Sequence, residues 1–105
     1  MLVLAGDIDL YTRGIEWSAS VARGRPVIYV PGNHEYYHSH MSGLAGEMRK
    51  RAEARGVHLL DNDDVVIGGI RFFGTTLWTD FALYKCCYGI VVARVGLDGC
   101  SRILY

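Results

Sequence analysis

The chain is short of everything that would tie it to a charged partner, an oxidising compartment or a bilayer. Its 11 lysines and arginines balance 11 aspartates and glutamates. Bulk electrostatics therefore gives no hold on nucleic acid or an anionic membrane surface. The basic cluster Arg49-Lys50-Arg51 is interleaved with Glu47 and Glu53 and reads as a solvated helix face. Cysteine is scarce: Cys86, Cys87 and Cys100 are an odd number with no CxxC spacing, which fits neither a disulfide framework nor a zinc knuckle. The Cys86-Cys87 pair has no histidine at a known catalytic spacing, so all three read as small apolar residues. No apolar run reaches the roughly 18 residues of a membrane span. No basic stretch precedes Leu2 to Ala5 as in a signal peptide, so a soluble cytoplasmic protein is expected. The 105 residues contain no repeat, low-complexity tract or linker and make at most one small domain.

What is present is apolar residue in quantity, half of the chain, enough for a real core. Leu2 to Ala5 and Val27 to Val30 read as buried strands, the second of the kind found in a parallel sheet covered on both faces. Between them Ile15, Ala19 and Ala22 share one side of a helix expected over 15–23, closed by Gly24 and Pro26. Met41, Leu44, Ala45, Met48 and Ala52 mark a second helix, stopped at Arg55-Gly56. Val57 to Leu60 is then a third strand, and the alternation implies right-handed crossovers and a mostly parallel sheet. Asp61 to Asp64 is a polar turn. Val65 to Ile67 and Ile70 to Phe73 flank Gly68-Gly69 as a hairpin. Beyond Phe81 the pattern loses definition. Residues 88–97 are apolar enough for a strand, but Arg94 interrupts them.

Two pieces carry the chemistry. Leu2-Val3-Leu4-Ala5-Gly6-Asp7 and Val27-Ile28-Tyr29-Val30-Pro31-Gly32-Asn33-His34-Glu35 are both strand-length apolar runs that break at glycine and then deliver metal-binding side chains. In open parallel sheets ligands bind at the carboxyl ends of strands. If the first two strands are neighbours, Asp7 and Asn33 meet there as two hard oxygen ligands, with the His34 imidazole beside them. Aspartate has two oxygens and a full charge with which to bridge two ions. Asparagine fills a metal shell without adding negative charge that would repel a phosphate. A histidine not bound to metal can donate to the phosphate or protonate the leaving oxygen. Glu35 is placed to orient the imidazole or to accept backbone hydrogen bonds.

Gly6-Asp7, followed after a helix and a strand by Gly32-Asn33-His34-Glu35, resembles the calcineurin-like metallophosphoesterase superfamily. The segment Gly74-Thr75-Thr76-Leu77-Trp78-Thr79-Asp80-Phe81 is similar to the stretch after the hairpin in bacterial-type members. The resemblance covers residues 1–81, with 82–105 an atypical C-terminal tail. It implies a partial α/β/β/α sandwich and hydrolysis of a phosphate mono- or diester, on a small molecule or a protein, by a metal-activated water. It makes Asp7 the bridging metal ligand, Asn33 a ligand of the second metal and His34 the catalytic imidazole. Two divalent ions are implied, drawn from manganese, iron, magnesium or zinc. The family's opening Asp-x-His and its later Gly-His-x-His have no counterpart here: the histidines are His34, His38, His40 and His58. The expectation is therefore a truncated member that self-associates through exposed strand edges.

Two other readings stand beside it. One is a non-enzymatic remnant of a disrupted reading frame, motivated by Met1 lying beside a strand and by the uncharacteristic segment 85–105. The other is a zinc metalloprotease site at His34-Glu35-Tyr36-Tyr37-His38, which matches H-E-x-x-H and needs both histidines on one helix. Pro31-Gly32 would start that helix at the motif itself, and Met41 and Leu44 stand where the extended pattern wants glycine and histidine. His38 and His40 have a spacing that would suit a metal, and a polar loop explains them as well. His58 is expected as a hydrogen-bonded core histidine. Tyr36 and Tyr37 could line a substrate cleft, with loop packing the simpler account. Trp78 and Phe81 are candidates for a pocket rim, with Asp80 as a nearby carboxylate.

Overall fold

The structure, a computed structural model, describes residues 1–77. The expectations for Trp78, Asp80, Phe81, the three cysteines, the strand over 88–97 and the tail 82–105 lie outside the described residues. Five elements alternate first: β1 (Leu2–Ala5), α1 (Arg13–Ala22), β2 (Val27–Val30), α2 (Met41–Arg55) and β3 (Val57–Leu59). A hairpin of β4 (Asp63–Ile67) and β5 (Ile70–Gly74) follows. The three first strands form a parallel sheet in the order β1-β2-β3, with Leu2 opposite Val27 and Val27 opposite Val57. β4 and β5 pair antiparallel, Ile67 opposite Ile70. Gly68 and Gly69 both take positive φ, 60° and 80°, as a two-residue type I′ connection demands. The architecture is mixed α/β, a parallel sheet with an added antiparallel hairpin.

Helix α1 begins two residues before the expected Ile15 and ends one residue before Arg23. Arg23 itself adopts the left-handed conformation that terminates the helix, at φ 51°, and Gly24 continues at φ 77°. Helix α2 stops where expected: Gly56 turns left-handed and donates its N–H to the Ala52 and Glu53 carbonyls, the usual way to satisfy the last orphan acceptors. Both helices lie over the same face of the sheet. Ile15, Val27, Tyr29, Leu44, Met48, Ala52 and Val57 are buried between them, each large apolar side chain contributing about 1.5–3 kcal/mol through burial. Gly14 is needed there, because a Cβ on it would run into the Tyr29 ring and hydroxyl.

The opposite face is less complete. Val27, Ile28 and Tyr29 are all buried, so β2 is covered on both sides, as expected of a central strand. Strand β1 alternates, and Val3 remains half exposed. The end of the hairpin closes on this second face where Gly74 seats against Leu60 and Val30 too tightly to admit a side chain. His58 departs from expectation. On β3, an outer strand of the sheet among the described residues, it pairs in register with Ile28, and its side chain is exposed rather than in the core. No helix among the described residues is long and apolar enough to cross a membrane.

Candidate functional site

The ends of β1 and β2 are adjacent because the strands pair directly, Ala5 opposite Val30. After Ala5 the chain turns through Gly6 at φ 85° and Asp7 at φ 54°. A left-handed aspartate is less costly than most residues in that region, since its short polar side chain bonds locally. Gly6 N–H still donates to Val30 O at 2.8 Å, which keeps the two loops in step beyond the sheet. Gly32 lies against Asp7 so closely that a Cβ there would fall on the Asp7 carboxylate and amide. That close approach of two backbones is the physical reason for glycine at position 32.

Asp7, Asn33 and His34 come together as the sequence predicts. Asp7 Oδ1 accepts the His34 backbone N–H at 3.1 Å. Asn33 Nδ2 donates to Tyr37 Oη at 3.4 Å, and the His34 and Tyr37 rings lie 4.4 Å apart at 36°. Asp7 and His34 are exposed and Asn33 is partly buried, so the arrangement can meet a solute. Asp7 and Asn33 line one cleft of about 310 Å³, floored by Val30 and Pro31 and walled by Thr75 and Leu77. The approach of Thr75 to the strand ends is fixed by its neighbour. Thr76 Oγ1 donates to Pro31 O at 2.8 Å, and Thr76 N–H reaches Asp61 Oδ1 at 3.4 Å.

Beneath the loops lies a carboxylate. Glu35 has no solvent exposure, and its oxygens accept four hydrogen bonds. Oε1 takes Ile8 N–H at 2.9 Å and Tyr29 Oη–H at 2.9 Å. Oε2 takes Asp7 N–H at 3.1 Å and Gly32 N–H at 2.9 Å. Burial, and then the nearby Glu35 charge, push the Tyr29 phenol well above its ordinary pKa, so it stays a donor. Tyr36 behaves likewise. Burial first and the Asp61 carboxylate second push it up to about 12, and its hydroxyl donates to Asp61 Oδ2 at 3.2 Å.

The sequence expectation that Glu35 accepts backbone hydrogen bonds holds. Tyr29 as its fourth donor was not foreseen. The signal was available: a tyrosine inside an all-apolar buried strand needs a hydroxyl partner, and Glu35 is the nearest carboxylate in sequence. Tyr37 touches both Asn33 and His34, beside the cleft that the sequence offers as one place for it. Tyr36 is buried, as loop packing requires.

The other histidines do not join the cluster. His38 sits at φ 58° with its carbonyl taking the Tyr11 hydroxyl at 3.5 Å, and the His40 carbonyl accepts the Leu44 N–H that opens α2. His34–Tyr36 forms a single turn of 3-10 helix, so His34 and His38 share no helix. Glu35, which a protease reading needs as an accessible base, is sealed inside. Among the described residues no group of three His, Cys, Asp or Glu side chains is arranged to hold a metal ion. Asp7 and Asn33 thus suit a hard divalent cation in kind, both being oxygen donors. In number they fall short of the roughly four to six ligands such ions take. Comparison with protein-family models, with curated proteins and with solved structures finds no match to this chain.

Proposed function

We propose that this chain carries part of a metal-dependent phosphoesterase site, at which a phosphate mono- or diester is hydrolysed. The observation that supports it is the convergence of Asp7, Asn33 and His34 at neighbouring parallel strand ends, with Asp7 and Asn33 on one cleft. A divalent ion bound there would supply an acidified water and a clamp for a phosphoryl oxygen. Asp7 contributes charge, with one oxygen steadied by the His34 amide. Asn33 contributes a neutral oxygen that leaves the site attractive to an anion. The exposed His34 imidazole donates to the phosphate or to the leaving oxygen. The remaining ligands come from outside residues 1–77. On this reading the hairpin begins the second sheet of an α/β/β/α sandwich.

The test is hydrolysis of bis(p-nitrophenyl) phosphate by the full chain with manganese, compared with Asp7→Asn and His34→Ala. Asp7→Asn keeps an oxygen acceptor for the His34 amide and removes the charge. Each variant is expected to lose about 10²-fold or more of the metal-dependent rate. Wild-type turnover equal to both variants would sink the enzyme reading and leave a folded remnant without this activity.

A further inference from the structure

We propose that Glu35 is the positioning residue of the site, a buried staple that fixes the two strand-end loops against each other. The proposal rests on the phosphoesterase reading only for what the loops hold; the stapling itself is independent of it. Its basis is how the four bonds are shared. Each carboxylate oxygen takes one donor from the loop after β1 and one from β2 or its loop. Oε2 joins the amide of Asp7 itself to the amide of Gly32, the residue before Asn33. Oε1 joins the Ile8 amide to the Tyr29 hydroxyl in the core.

No other described group does this. Outside the ladder the two loops also share the Gly6 amide on Val30, the Tyr11 amide on the Glu35 carbonyl, the Tyr11 hydroxyl on the His38 carbonyl and the Asp7 carboxylate on the His34 amide. Each of these is a single bond, and the last uses the very side chain to be positioned. The successive left-handed residues Gly6 and Asp7 turn the Asp7 and Ile8 amides inward, making the kind of concave amide nest that binds an anion. In this chain the nest is filled from within by Glu35, which is wholly buried with no cation paired to it among the described residues. Substrate phosphate is therefore excluded from these amides. Glu35 itself touches neither solvent nor the cleft and acts only through the backbone it holds.

The test is residue-resolved amide hydrogen exchange on the full chain, with and without manganese, in wild type and Glu35→Gln. Glutamine keeps the size but turns one acceptor into a donor, so at least one of the stapled amides loses its partner. Exchange at Asp7, Ile8 or Gly32 is expected to accelerate about tenfold or more. Exchange at Met48 and Ala52 in α2 should hold steady. Wild-type exchange rates at all three amides, or equal acceleration in α2, would overturn the staple. In the first case Glu35 holds nothing, and in the second it is only a general stability determinant.

Manganese provides the second readout. Paramagnetic broadening of Asp7 and Asn33 is expected in wild type and should disappear in Glu35→Gln, while α2 stays protected. Absence of broadening in wild type counts against the phosphoesterase reading alone, and the exchange data still decide the staple. If Glu35→Gln does not fold, Tyr29→Phe removes one donor and leaves the carboxylate. Ile8, which shares Oε1 with Tyr29, should then exchange several-fold differently from wild type. An unchanged Ile8 rate would overturn the proposal.

Discussion

Two carboxylates in this chain accept short hydrogen bonds in very different surroundings. Glu35, under the loops after β1 and β2, is sealed from water and takes four donors, three of them backbone amides. Asp64, on the outer face of the hairpin, takes Arg71 Nε at 2.7 Å and Nη2 at 3.2 Å in the open. The distances alone would rank the hairpin pair first. Burial reverses that order, because a buried acceptor is withdrawn from water together with every donor facing it. The strand ends are where this fold commits polar groups to its interior. The hairpin leaves its polar groups, and also Val66, Ile70 and Phe73, exposed.

The sharpest way to break that contrast is Glu35→Leu. It leaves the Asp7, Ile8 and Gly32 amides facing hydrocarbon, each unsatisfied donor costing about 1–3 kcal/mol. A total loss of roughly 3–9 kcal/mol is expected, a large share of the stability of so small a domain. Urea melts of the two proteins would measure it, and a midpoint within error of wild type would refute the account of the buried carboxylate. Gly32→Ala comes next. Its methyl group would fall on the Asp7 carboxylate, a backbone clash with little room to relax, and about 2–3 kcal/mol of destabilisation is expected. Metal-dependent turnover should suffer more than stability does, since the displaced group is the one that carries charge.

Most of the frame could be read from sequence because each element announces its own end. Gly6, Gly24, Gly56 and Gly68-Gly69 stand at the breaks, and all take positive φ. The cluster of Asp7, Asn33 and His34 was legible for the same reason: a strand, a glycine and a donor occur twice. What escaped was long-range and side-chain-specific. Tyr29 reads as one more apolar residue in β2 unless its hydroxyl is asked for a partner, and the three-dimensional packing puts Glu35, six residues later, at that hydroxyl. His58 was misread because Val57, Leu59 and Leu60 around it are apolar. It is exposed on β3, an outer strand of the parallel sheet among the described residues, and strand order is not written in the local pattern.

Alkaline titration sharpens the contrast at a third site. Tyr36 is raised to about 12 in the folded chain from an ordinary 10. The folded state therefore keeps a proton that the unfolded state gives up. Its contribution is complete below about pH 10 and is lost as pH climbs from 10 through 12. Tyr29, also raised, acts in the same direction. Melting temperature should fall over that range, and Tyr36→Phe should fall less steeply, at an expense of about 1 kcal/mol near neutrality for the lost Asp61 bond. Parallel pH profiles for the two proteins would show that Tyr36 does not keep its proton preferentially in the folded state.

The smallest effect belongs to the hairpin pair. Arg71 holds Asp64 below the usual carboxylate range, chiefly through its hydrogen bonds. The sign of the linkage is that of a depressed acid: whatever the pair contributes is present above the unfolded carboxylate's pKa and vanishes as pH falls through the folded one. Both side chains are open to water, with the arginine 74% exposed, so solvent and salt screen the attraction. Arg71→Ala is expected to leave the neutral-pH melting temperature within about a degree of wild type. Any difference should disappear in molar salt or at pH below the carboxylate range. A melting shift as large as that of Glu35→Leu would mean that bond length outranks burial in this chain, and the contrast between the two carboxylates would fail at its root.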